Sequence, residues 1–207
     1  MFKTLVLFAA IVFAASVSAQ TQTIPPAASK KHLPTDTVGV VNGTLITLRD
    51  FRGELKRTMK DHMSEIPNGK VSDSLYTKFV NLTWEKMIGD ILIEQEIKKL
   101  KLELSDGETI KRMIAHPPEL LKQSFTDSTG KYFPQELSKF LNSKAADSLR
   151  DQVVHYYRLQ FQYDGLVRTL APKATTDVER KQAIDAWIAK RATRAEIDDR
   201  RPAFGFY

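Results

Sequence analysis

The chain has 207 residues, no cysteine, and 31 Lys and Arg against 25 Asp and Glu, giving a net charge of +6. Without cysteine there are no disulfides, no thiol catalysis, no cysteine-based zinc site and no thiol redox chemistry. The basic residues are spread along amphipathic segments rather than gathered in one patch. They therefore read as solvated helix faces, with at most a mild attraction to anionic surfaces, and not as a nucleic-acid footprint.

The chain opens with Lys3, an apolar run from Leu5 to Val17, and the small residues Val17-Ser18-Ala19. This pattern predicts a secretory signal peptide over residues 1–19, cleaved before Gln20. The run is shorter than the ~20 residues a spanning helix needs. No cysteine follows the cleavage site to take a lipid, and no later segment is apolar enough to cross a bilayer. The expected product is exported, with no integral membrane segment. Residues 20–36, rich in Pro, Thr, Ser and Lys and without periodicity, read as a flexible linker. Residues 37–207 are long enough for a single domain.

Val38, Val40 and Val41, then Asn42-Gly43, then Leu45-Ile46 predict a hairpin with a two-residue turn. Thr47 caps a helix to about Ser64, with Asp50 placed to complete a capping box and Phe51, Leu55 and Met59 on one face. Ile66-Pro67-Asn68-Gly69 breaks it. The longest helix is expected from about Ser72 to Leu102. Tyr76, Val80, Trp84, Met87, Ile88 and Ile91 form one apolar stripe and Ile93, Ile97 and Leu100 a second, so it should be packed on more than one side. Gly89 within it is either a weak point or a point of close packing. Ser105 and Glu108 form a capping box opening a short helix to Ala115. His116-Pro117-Pro118 stops that helix, and Pro118 starts another to about Phe125.

Asp127 to Gly130 reads as a turn and Phe133 to Leu141 as a further short helix. A second long helix is expected from Ala145 to Leu170, its buried face formed by Leu149, Val153, Tyr156, Tyr163, Val167 and Leu170, with Pro172 ending it. Thr176 or Asp177 caps the last helix, which should bury Ile184, Trp187 and Ile188. A short strand is expected over Thr193–Ile197. A lone late strand needs a partner for its backbone groups, and the early hairpin is the candidate. The expected fold class is mostly α (α+β): a multi-helix body with a small antiparallel sheet joining the N-terminal hairpin to the C-terminal strand.

The search for chemistry gives little. His32, His62, His116 and His155 show no metal-ligand spacing. There is no G-x-S-x-G elbow, P-loop or dinucleotide fingerprint, so no cofactor is implied and any action is independent of ATP. Asp198-Asp199 followed by Arg200-Arg201 reads as a neutralised surface turn. The aromatic residues are more informative. Phe125, Tyr132, Phe133 and Phe140 fall around a turn between short helices, and Tyr156, Tyr157 and Phe161 lie on the second long helix. Core packing explains any one of them. Together these seven are also the candidates for a groove holding extended apolar peptide. Tyr156 and Tyr157 are adjacent, so at least one should be exposed. The Phe204-Gly205-Phe206-Tyr207 tail should pack back on the body or meet a partner.

Three stretches resemble the SurA/PpiD family of exported chaperones and peptidyl-prolyl isomerases. They are Val38–Ile46 leading into a helix; Trp84–Leu102 with Leu104–Glu108, followed by Phe125–Phe133 and Phe140-Leu141; and Ala186–Ile197 as a closing helix and strand. The resemblance implies a chaperone core over residues 37–207, with its closing helix and strand at about 177–198. It also implies a periplasmic location and, as partners, unfolded or extended polypeptides such as outer-membrane protein precursors. Family members usually insert parvulin isomerase domains before the closing helix, whereas here Leu170 and Pro172 are followed at once by the cap at Thr176 or Asp177. The expectation is a non-enzymatic, ATP-independent holdase. An adaptor for one dedicated partner, such as a full-length isomerase, is one alternative, and a minimal prolyl isomerase another.

Overall fold

The computed structural model describes residue 33 and residues 35–66, 70–143 and 148–207. The expected signal peptide, most of the linker, and the Pro67–Gly69 break lie outside the described residues. The chain divides into two compact units, the first reaching to Glu94 and resuming at Asp185–Tyr207, the second Gln95–Ile184.

The first unit is built on a three-stranded antiparallel sheet in the order β2-β1-β3. Strand β1 (Thr37–Val41) pairs with β2 (Thr44–Thr47) and with β3 (Ile197–Asp199), so the early hairpin and the late strand meet as the sequence predicts. Asn42 and Gly43 both have positive φ, 47° and 81°, the geometry of the tight hairpin turn that Asn-Gly favours. Asn42 has a second role: its side-chain oxygen accepts from the Glu196 N–H at 2.9 Å, and its own N–H donates to the Glu196 carbonyl at 2.8 Å. The turn residue thus also docks the start of the late strand.

The closing strand is displaced from the expected position. Helix α7 (Asp177–Ala192) is followed by a turn over Thr193 to Ala195, and pairing begins at Ile197, opposite Val41. Asp198 and Asp199 are therefore strand residues rather than a surface turn. Their charges are neutralised as expected, Asp198 by Arg200 at 2.6 Å and Asp199 by Arg201 at 2.7 Å.

Helices α1 (Leu48–Asp61) and α2 (Asp73–Lys99) complete this core. Thr47 caps α1 by accepting from the Asp50 N–H, and its hydroxyl donates back to the Asp50 carboxylate. Ser72 accepts from the Leu75 N–H at the start of α2. Phe51 and Leu55 are buried, with Met59 packed beside them. On α2, Val80, Trp84 and Ile88 are buried as their stripe requires, but so are Phe79 and Leu92, which were not part of it. The second stripe, Ile93, Ile97 and Leu100, is half-buried. Between the helices, the Thr83 hydroxyl lies 2.8 Å from the Phe79 carbonyl oxygen and 3.0 Å from the Thr58 hydroxyl. Each hydroxyl has one proton, so Thr58 donates to Thr83 and Thr83 to the carbonyl, satisfying a buried polar pair.

Two glycines differ in what they allow. A Cβ on Gly39 of β1 would stand 2.2 Å from the Trp84 ring and 3.0 Å from the Asp198 carbonyl oxygen. Gly39 is thus the place where the rim of the Trp84 indole comes against the sheet. A Cβ on Gly89 would meet Ile188 at 3.6 Å, an ordinary contact, so Gly89 is a helix weakness and not a point of enforced close approach. The C-terminal segment closes over the same core. The Arg201 guanidinium sits 4.7 Å from the Trp84 ring centroid, chelates Asp199 and donates to Asn81 at 3.0 Å. Phe206 is buried against Phe51, ring centroids 4.8 Å apart, whereas Tyr207 is exposed.

Candidate functional site

The seven aromatic candidates all lie in the second unit. Its elements are α3 (Asp106–Ala115), α4 (Glu119–Ser124), α5 (Pro134–Leu141) and α6 (Ser148–Leu170), with the first turns of α7. The local sequence explains each start. Ser105 accepts from the Glu108 N–H while the Glu108 carboxylate accepts from the Ser105 N–H, a complete capping box for α3. The Ser105 hydroxyl, which donates to the same carboxylate at 2.6 Å, and the Ser105 N–H hold the Glu108 carboxyl below its ordinary range. Thr176 caps α7, and Glu179 accepts from the Thr176 and Thr175 N–H groups and the Thr175 hydroxyl, which lowers its pKa to about 2.

Between α4 and α5, Asp127 accepts from the Thr129 and Lys131 N–H groups and the Thr129 hydroxyl, and Gly130 takes φ 83°. This turn brings Thr126 and Tyr132 into a single β-bridge and sets Phe125 and Phe133 on either side of it. Phe125 then meets Phe140 of α5 at 5.7 Å.

The core of this unit is Ile110, Met113, Leu121, Leu137, Leu141, Val154 and Tyr157. Tyr157 is thus buried, and Phe125, Tyr132, Phe140 and Phe161 are half-buried against the same cluster. Cations cover several of these rings: Arg112 stacks on Phe161, Lys122 on Tyr132 and Lys131 on Phe133. The Tyr132 hydroxyl is buried and makes no hydrogen bond. Of the seven, Tyr156 alone is exposed, at 53%, its ring edge-on to Tyr157 at 5.1 Å. One of the adjacent tyrosines points in and one out, as their spacing requires.

The buried face of α6 is not the expected one. Leu149, Tyr156 and Tyr163 are exposed, and Val153 is half-buried; Val154 and Tyr157, with Phe161, face the core, while Val167 is buried nearer the helix end. The helix carries two apolar stripes, and the side on which α3 and α5 pack decides which is covered. Leu159, 52% exposed, extends the open stripe and was not singled out from the sequence. Its signal was the seam spacing of Leu149, Val153, Tyr156 and Tyr163, which marks an apolar face without saying whether the fold covers it.

The first unit offers a shallow groove of about 400 Å³ between α1 and α2, with Met87 and Ile91 on its floor and Arg49, Arg57, Glu54 and Asp90 on its rim. Its rim charges are engaged with one another: Glu54 with Arg57 and with Lys86, each at 3.0 Å, and Lys86 with Asp90. Among the described residues no group of three His, Asp or Glu is placed to hold a metal ion, and no helix is long and apolar enough to cross a membrane.

A family model described as the SurA-like N-terminal domain matches residues 1–141. The chain belongs to the SurA-like N-terminal domain family. The match to this SurA-like chain includes the sheet hairpin, α1 to α5, and the candidates Phe125, Tyr132, Phe133 and Phe140; Tyr156, Tyr157 and Phe161 lie beyond it. No parvulin domain is detected. No curated protein and no solved structure gives a match.

Proposed function

We propose that this SurA-like chain is an ATP-independent chaperone of the periplasm that holds unfolded exported polypeptides, outer-membrane precursors among them. The observation that carries the reading is the apolar face of α6, where Leu149, Tyr156, Leu159 and Tyr163 stand open to solvent in a member of a chaperone family. Covering a large apolar side chain contributes about 1.5–3 kcal/mol when complete. Half-exposed residues contribute less each, so binding is weak per contact and gains strength from several contacts along one extended client. The half-buried Phe125, Tyr132, Phe133, Phe140 and Phe161, around the core that holds Tyr157, offer a client further apolar area away from that face. Their mixture of apolar rings and covering cations suits loose recognition.

Residues 1–19 act as the export signal in this reading, and N-terminal sequencing of the protein recovered from the periplasm should begin at Gln20. Holding requires no catalysis, and a proline-peptide isomerisation assay should give no rate above buffer. The decisive experiment is suppression of aggregation of an urea-unfolded outer-membrane barrel by the purified, host-processed protein. Dose-dependent suppression near stoichiometric amounts supports the holdase. A folded sample that suppresses nothing contradicts it and favours the dedicated-partner adaptor, whose partner would then be sought by pull-down.

A further inference from the structure

We infer that the outer edge of strand β2 is a strand-addition site, at which an extended, uncharged stretch of an unfolded polypeptide pairs with the backbone of Leu45. The pairing inside the sheet decides which groups are free. Between β1 and β3 the bonds involve the even positions of β1. The Arg200 N–H donates to the Val38 carbonyl oxygen at 2.9 Å, and the Asn42 N–H donates to the Glu196 carbonyl oxygen at 2.8 Å. Val40 lies between them, opposite Asp198. Alternate residues of a strand bond to opposite sides, so Gly39 and Val41 bond to β2, where they face Ile46 and Thr44. Leu45, opposite Val40, is therefore a non-bonded position of that ladder. Its N–H and C=O point away from β1 to the outer edge, where they meet no partner among the described residues.

The two edges of the sheet are unequal. Strand β3 carries Asp198 and Asp199, with Arg200 and Arg201 bound to them, and charge is a common protection of an edge strand. Strand β2, Thr44-Leu45-Ile46-Thr47, has no charge, proline or glycine. Leu45 is 61% exposed and stands beside the half-buried Val40, on the face away from the core that holds Val41 and Ile46. Hydrogen bonds from this edge hold a guest strand whatever its sequence, and Leu45 favours an apolar residue next to it. A second copy fits less well. Two four-residue strands, each ending in a hairpin turn and a helix cap, would exchange little beyond the Leu45 bonds, and each chain carries a charge of +6. A guest without folded flanks can run past both ends of the strand. The inference takes its kind of partner from the chaperone reading but uses none of the α6 residues.

The test is an amide NMR titration of the isotopically labelled, host-processed protein with an acetylated and amidated hexapeptide of alternating threonine and valine. The expected result is a saturating shift of the Leu45 amide, with its hydrogen exchange slowed at least tenfold, while the Ile197 and Asp199 amides of the charged edge stay in place. The same peptide N-methylated at every residue has no donor for an edge and should bind at least tenfold more weakly, with the protein unaltered. Leu45→Pro should abolish binding of a fluorescent copy of the peptide. The Leu45 N–H is not used in the ladder, so proline is tolerated there, and circular dichroism checks the fold. A Leu45 amide unmoved up to about 1 mM peptide, or equal binding of the N-methylated peptide, overturns the inference. Protection of Leu45 that grows with protein concentration in the absence of peptide gives the edge to a second copy and overturns it equally. The readout lies in the first unit, so a failure of α6 to hold client leaves it untouched, and its own failure leaves the α6 reading standing.

Discussion

Gly39→Ala is the sharpest test of how the first unit closes. The added Cβ would lie 2.2 Å from the Trp84 ring atom Cη2 and 2.8 Å from Cζ3. Neither atom is the loose end of a flexible chain. Trp84 is buried, sits edge-on to Phe51 with centroids 6.4 Å apart, and is covered by Arg201. The strand cannot retreat either, since the Asp198 carbonyl oxygen is 3.0 Å from the same Cβ and β1 is hydrogen-bonded on both sides. Overpacking of this kind costs about 1–3 kcal/mol. The roughly 0.5–1 kcal/mol that alanine gains over glycine in chain entropy offsets only part of it. At about 2–4 °C per kcal/mol for a chain of this size, the melting temperature should fall by several degrees, read by circular dichroism and tryptophan fluorescence. The cost should shrink by about 1 kcal/mol or more when Trp84→Leu is already present, because the two positions are in contact. A Gly39→Ala protein as stable as the wild type, or a cost unchanged by Trp84→Leu, would refute the reasoning.

Gly89→Ala should do the opposite and raise stability by about 0.5–1 kcal/mol, since the new methyl meets Ile188 at an ordinary 3.6 Å within a helix; urea melts measure it. Arg201→Ala should destabilise by about 1–3 kcal/mol, removing the partly exposed Asp199 chelate and the cation over Trp84, and Arg201→Lys should restore only part, because an ammonium lacks the planar fork. Glu179, lowered to about 2 by the N–H groups of Thr176 and Thr175, contributes stability that is complete above its ordinary value of 4.5 and is lost as pH falls from there through about 2. Glu179→Gln, which cannot titrate, should flatten that part of a melting-temperature profile; an unchanged acid slope would show that the cap does not contribute to it.

Much of the fold is written locally. Ser105 and Glu108, Thr47 and Asp50, and Asn42-Gly43 each specify a boundary through their own backbone bonds, and the structure places those boundaries where the residues predict them. The meeting of the chain's early hairpin with its late strand was legible because unpaired strand groups must find a partner. Its register was not, since the strand starts where Asn42 captures Glu196, a contact between residues far apart in sequence. The same limit explains α6. Two apolar stripes share one helix, and only the packing of Ile110, Met113, Leu137 and Leu141 decides that Tyr157 goes in and Tyr156 stays out. The aromatic composition of the candidate site was therefore visible, whereas the choice of accessible residue was tertiary.

The central claim is that an open apolar face on α6 holds unfolded polypeptide. Its most direct measurement is an equilibrium titration of a fluorescently labelled, unfolded outer-membrane barrel with the wild type and with the Tyr156→Glu, Leu159→Glu double variant. These side chains are half-exposed and outside the buried clusters, so the variant should keep the wild-type circular dichroism spectrum and melt. Binding weakened at least tenfold with the fold intact is the expected result. Undiminished binding by a folded variant would contradict the claim and move the client surface elsewhere on the chain.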